Sequence, residues 1–207
     1  NIGIGYDAMN GGTTTGDNNI AIGASAGDAL TSGYSNILAG TNAGGAMTTG
    51  LRNTIIGAES GIATTDVDYS VIIGYGAAQA NMTSDANGTI AIGYLAGQGI
   101  TSGIGNTAIG YQALNAEDDG DGSTAVGYKA LTAQTGTTGN AGNTAVGYQA
   151  GLALTKGRYN VAVGWKALYT EDVGDVSTAV GIQALYSQNS DSDNEDAANT
   201  GIGKAAG

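Results

Sequence analysis

The sequence predicts an all-β fold, a parallel β-solenoid of about twelve coils, and three observations carry that prediction. A glycine returns on a period of 17 residues along the whole chain. Two β-branched positions, two residues apart, precede that glycine in almost every copy. A short Thr/Gly turn then closes each copy before the next begins.

The period is read from Gly5, Gly23, Gly40, Gly57, Gly74, Gly93, Gly110, Gly127, Gly147, Gly164, Gly181 and Gly203. Successive gaps are 18, 17, 17, 17, 19, 17, 17, 20, 17, 17 and 22, so the basic unit is 17 residues with occasional insertions. The unit is clearest in Asn143-Thr-Ala-Val-Gly-Tyr-Gln-Ala150. Counted from its Asn, the first column is Asn in eight copies (Asn1, Asn19, Asn36, Asn53, Asn106, Asn143, Asn160, Asn199). Ser70, Thr89, Ser123 and Ser177 take its place in the other four. Short polar side chains that bond to nearby backbone suit a corner where the chain enters a strand.

The second column is β-branched throughout, from Ile2 to Thr200, and the fourth is Ile or Val except at Ala39. These two columns define one face of a short strand. The third column between them holds Ala, Gly, Leu or Ile, as at Ala108, Ala125 and Ala145, and is never charged. A strand apolar on both faces must be covered on both. The expectation is that a single chain covers only one, and that the small third-column residues meet a second copy. Replacing Ala108, Ala125 or Ala145 with Asp is then expected to stop assembly.

An aromatic follows the glycine in seven copies (Tyr6, Tyr75, Tyr94, Tyr111, Tyr128, Tyr148, Trp165), and Ala stands in the eighth column everywhere except Ser60. An unvarying small residue implies a close approach of backbone. In the ninth column Met9, Leu114, Leu131, Leu168 and Leu185 alternate with Gly. Turns such as Thr13-Thr-Thr-Gly16, Thr48-Thr-Gly50 and Thr101-Ser-Gly103 close the coil, with Gly available for positive φ. A helical reading fails, because Gly every few residues costs about 1 kcal/mol each relative to Ala and no apolar stripe of period 3.6 survives a full repeat. Stacked at roughly 4.8 Å per strand, twelve coils make a rod on the order of 58 Å long.

Composition fits this reading. Gly supplies 38 of 207 residues, Pro, Phe, Cys and His are absent, and the apolar fraction of 41% is mostly small side chains. Such residues fill thin, closely stacked layers. The formal charge of −12 excludes an electrostatic footprint for nucleic acid or anionic lipid, and no apolar run approaches the roughly 18 residues of a membrane span. Without Cys or His, thiolate and imidazole schemes and zinc sites are excluded. The chain reads as one repetitive unit, residues 1–207, within a longer fibre.

Paired carboxylates are the remaining catalytic material: Glu117, Asp118, Asp119, Asp121, Glu171 and Asp172, all in turns. The run Asp118-Asp119-Gly120-Asp121-Gly122 alternates acid and glycine like a calcium loop but lacks the closing bidentate Glu. Solvated acidic turns explain both, so no residue is assigned a catalytic, cofactor-binding or metal role. The insertions Asp85 to Gly88, Thr135 to Gly142 and Ser187 to Ala198, the last holding Asp191, Asp193, Glu195 and Asp196, map to edge loops. Asn81-Met-Thr83 and Asn87-Gly-Thr89 are glycosylation sequons in one loop. The Tyr column offers either a stacking surface for sugars or packing between coils or chains.

The unit Asn-Thr-Ala-Val-Gly-Tyr-Gln-Ala with its Thr/Gly turn resembles the tandem repeats of tailed-bacteriophage fibre proteins. It is also similar to the head repeats of trimeric autotransporter adhesins, whose Asn-Ser-Val-Ala-Ile-Gly units form a left-handed parallel β-roll. The adhesin repeat is shorter and lacks the Tyr-Gln-Ala-Leu extension. The resemblance implies a homotrimeric, non-enzymatic virion or cell-surface fibre, with a host glycan or receptor met through loops or a distal tip, no cofactor, and no nucleic-acid or membrane partner. The alternatives are a stand-alone calcium- or ice-binding solenoid and a glycan depolymerase.

Overall fold

The computed structural model describes residues 1–136, 139–190 and 196–207. Among them, one parallel sheet takes a three-residue strand from each repeat, in chain order. The strands are Ile2–Ile4, Ile20–Ile22, Ile37–Ala39, Thr54–Ile56, Val71–Ile73, Ile90–Ile92, Thr107–Ile109, Thr124–Val126, Thr144–Val146, Val161–Val163, Thr178–Val180 and Thr200–Ile202. Each column pairs with itself: Thr107 with Thr124, Ala108 with Ala125, Ile109 with Val126. The predicted parallel β-solenoid is therefore the fold.

The invariant glycine has a steric cause. Gly93 sits at φ +138, and a Cβ there would lie 2.5 Å from the Gly110 carbonyl oxygen of the next coil. No L side chain fits that gap. The corners on either side use left-handed backbone at ordinary residues, including Gln112 at φ 51, Lys129 at φ 54 and Tyr159 at φ 58. Stacking of identical corners holds them there, through bonds such as Gln112 N–H to the Tyr94 carbonyl at 2.9 Å.

The core is one side chain wide, and its volume is shared among three columns. In the third column, Ala21, Leu38, Ile55, Ile72, Ala91, Ala108, Ala125, Ala145, Ala162 and Ala179 are all buried inside the coil. Where the third column is Leu38 or Ile55, the ninth is Gly44 or Gly61; where it is Ala108, Ala125, Ala162 or Ala179, the ninth is Leu114, Leu131, Leu168 or Leu185. Where Ala91 and Gly97 or Ala145 and Gly151 leave space, Ile100 or Leu154 in the twelfth column fills it. A Cβ on Gly151 would stand 2.8 Å from Leu131 Cδ2. Close packing permits one large side chain at a time.

This corrects the expected facing. The third column lines the interior of its own chain and cannot meet a second copy. The second and fourth columns point outward instead. Among the insertions, Ser84–Ala86 forms a 3-10 turn, and Gly139–Asn140 pairs in parallel with Gly120–Asp121. Asp196 bridges to Asp175, while Asp191, Asp193 and Glu195 lie outside the described residues.

Candidate functional site

Three arrangements could carry function: the outward strand face, the aromatic ladder beside it, and the carboxylates of the turns. The outward face is built by period-two alternation. With the third column turned in, the second and fourth columns turn out, and Ile22, Ile37, Ile56 and Val146 stand 44%, 41%, 38% and 37% exposed. Neither column carries a charge or an amide in any of its twelve copies, although the chain has 18 acidic residues elsewhere. Six of the twelve second-column residues are Thr and the sixth column is aromatic in seven copies, so the strip of roughly 58 Å by 13 Å, on the order of 750 Å², mixes apolar and hydroxyl side chains. A stable protein interface takes about 800 Å² from each partner.

The sixth column forms a continuous stack. Tyr94, Tyr111, Tyr128 and Tyr148 lie at centroid spacings of 5.1, 5.0 and 5.1 Å, with planes within 9° of parallel. Tyr75 at 5.7 Å and Trp165 at 6.3 Å end the ladder. Each inner ring has both faces covered by neighbours and only its edge exposed. A sugar ring stacks on an aromatic face, so the ladder interior offers none. Lys166 lies over Trp165 and Tyr169, at 4.8 and 4.7 Å from the ring centroids.

The first column is a buried amide ladder. Asn36 Nδ2 donates to Asn19 Oδ1 at 3.0 Å and to the Gly50 carbonyl at 2.7 Å, and Asn36 Oδ1 accepts from the Asn53 backbone N–H at 2.9 Å. A glutamine repairs the ladder fully at Ser123 and in part at Ser177, where Gln188 Oε1 is buried without a partner among the described residues. Gln134 Nε2 donates to Ser123 Oγ at 2.8 Å and to Glu117, while its Oε1 accepts from Asn143 Nδ2 at 3.0 Å. Gln188 Nε2 donates to Ser177 Oγ at 2.9 Å and to Glu171 Oε2 at 2.8 Å. The spacing in Glu117, Ser123, Gln134 recurs in Glu171, Ser177, Gln188. That repetition was visible in the sequence and went unread.

These contacts settle what the two glutamates do. Glu117 is fully buried and also accepts from Gly120 N–H at 2.7 Å and Asp118 N–H at 3.1 Å. Burial raises its pKa, against the lowering effect of the bonds from Gly120 and Gln134. Glu171 feels the same upward push from burial, but the bonds from Gly174, Gln188 and Ser190 outweigh it and its pKa is lowered. Ser190 makes the difference, donating through both N–H and Oγ. Both carboxylates are committed to holding the coil and neither faces solvent.

The other acidic candidates are local. Glu117, Asp118 and Asp119 lie together, with oxygens within 4.8 Å of one another, and burial raises the Asp119 pKa. Asp118 Oδ1 accepts from Asp119 N–H at 2.9 Å, and Asp121 Oδ1 from Ile104 N–H at 2.7 Å. Asp172, one residue past Glu171, stands half-buried in another coil. Of the sequon residues, Asn81 is exposed, and Asn87 is half-buried with its Oδ1 accepting from Asp68 N–H at 2.6 Å. Comparison with protein-family models, curated proteins and solved structures finds no match for this chain.

Proposed function

We propose that this chain is a structural segment of a homotrimeric fibre, of the phage tail-fibre or surface-adhesin kind, which acts by stiffness and self-association and not by catalysis. The carrying observation is the outward face: two uncharged, largely β-branched ladders half-exposed along twelve coils, flanked over coils five to ten by an aromatic ladder. The exposed Ile, Val and aromatic side chains of that face are stabilised when another surface covers them. A second and third copy supply that surface, since each carries the same ladders at the same spacing. Backbone hydrogen bonds between coils give the shaft its rigidity, and its place is on a virion or outside a cell. Attachment to a host glycan or receptor falls to the insertion loops or a distal tip.

Light scattering of the purified chain at micromolar concentration tests the reading, with three copies per particle expected. A monomer that keeps its β-structure would overturn it.

A further inference from the structure

The tenth column of the repeat changes character along the rod. In coils five to seven it is a row of amides: Gln79 Nε2 donates to Glu59 Oε2 at 3.1 Å, Gln98 Nε2 to Gln79 Oε1 at 2.8 Å, and Asn115 Nδ2 to Gln98 Oε1 at 3.0 Å. In coils two to four it reads Asp28, Gly45, Ile62. Gly45 is not in the left-handed region, and an added Cβ would meet nothing nearer than the Asn42 carbonyl oxygen at 3.4 Å. Neither backbone nor packing demands glycine there.

The consequence of that glycine is a notch of about 310 Å³ lined by Ser25, Asp28, Asn42, Gly45, Ala46 and Ile62. Ala46 and Ile62 supply apolar lining. Ser25, Asp28 and Asn42 are half-buried at its rim, and among the described residues none of their side chains makes a hydrogen bond. Half-buried polar groups without protein partners bond water, which the hydroxyls of a ligand can replace.

We propose that this notch binds a neutral pyranose unit of a glycan. A pyranose offers one C–H-rich face for the apolar lining and ring hydroxyls for the rim. Ser25 Oγ and the Asn42 amide can each donate and accept, and the Asp28 carboxylate accepts. The volume suits one sugar residue. Asp28 and the net charge of −12 disfavour sialic or uronic acids, and a single carboxylate makes a poor cation site. All six residues come from one chain and lie in its seventh, tenth and eleventh columns, outside the second and fourth columns of the strand.

Saturation-transfer NMR on the full chain, with methyl glycosides of neutral hexoses and a sialic acid glycoside as the charged control, tests this. Transfer to at least one neutral hexose is expected, with millimolar affinity, and none to the sialoside. Gly45→Gln extends the amide row into the notch and should weaken binding at least tenfold with no loss of thermal stability. Asp28→Ala should weaken it severalfold and decides the matter if Gly45→Gln folds poorly. Absence of transfer from every neutral hexose, or binding unchanged in both variants, overturns the proposal.

Discussion

Ala145 and Val146 are neighbours on one strand and face opposite ways, so an aspartate at each separates the core from the outward face. Ala145 is fully buried between its ladder partners Ala125 and Ala162. An aspartate in that buried, apolar column must either ionise in an apolar interior or stay protonated. Holding it neutral at pH 7 against an ordinary pKa near 3.9 costs about 4 kcal/mol at 1.36 kcal/mol per unit. That is most of the stability of a marginal domain. Because its folded-state pKa would be raised, the penalty grows as pH rises from about 4 to 7 and is smallest at the acid end. Val146 is 37% exposed, and Val146→Asp should change the fold's stability by about 1 kcal/mol or less. Thermal melting followed by circular dichroism, against wild type at pH 4 and pH 7, reads the first effect, and light scattering reads the second. Ala145→Asp should lose cooperative melting at pH 7, whereas Val146→Asp should melt normally and weaken association. If Ala145→Asp melts like wild type and merely fails to associate, the third column faces a partner and the facing given above is wrong.

Three further outcomes follow from the same contacts. Asn36→Ala strips partners from the buried Gly50 carbonyl and Asn53 N–H; at roughly 1–3 kcal/mol per orphaned group it should cost about 3 kcal/mol in denaturant unfolding, and Asn36→Ser less. Lys129 stands at φ 54 in a column where coil five carries Gly76 at φ 58, so Lys129→Gly should raise stability by up to about 1 kcal/mol, read as a higher melting temperature. Since the Glu171 pKa is lowered in the folded state, its contribution is fully present above the unfolded carboxylate range near pH 4.3 and is lost as pH falls through the folded value. Wild type and Glu171→Gln should therefore converge in stability on acidification below about pH 4, a convergence that acid titration of the melting temperature measures.

Much of the fold was legible because a solenoid writes its geometry into every coil. The period, the strand columns and the Asn corner could be read from residues such as Asn143 to Val146, since stacking requires the same residue type at the same place in each turn. Facing was not legible from alternation alone. Period two says that Ala145 and Val146 point apart but not which is inside, and both faces are apolar here. The deciding signal lay across columns: Leu38 with Gly44 and Ala108 with Leu114 compensate in volume, as residues sharing one cavity must, while Ile109 compensates with nothing. The left-handed corners were hidden for a different reason. Residues such as Gln112 and Lys129 have no preference for that region, and stacked neighbours impose it.

The aromatic column shows how a repeat constrains what a fibre can do. A Tyr in one coil would offer two faces to a ligand, but a Tyr in each of consecutive coils, spaced at about 5 Å, spends those faces on its neighbours. Each stacked pair contributes about 0.5–1.5 kcal/mol beyond its area burial, so the ladder from Tyr75 to Trp165 stiffens coils five to ten and loses recognition capacity in the same step. Any recognition by such a chain would fall where the repeat is broken. An insertion breaks it by lengthening a coil; Gly45 breaks it by omitting a side chain that the backbone would have tolerated. The second kind leaves the stacking intact, so a stacked coil can carry a notch on its side without a loop to form it.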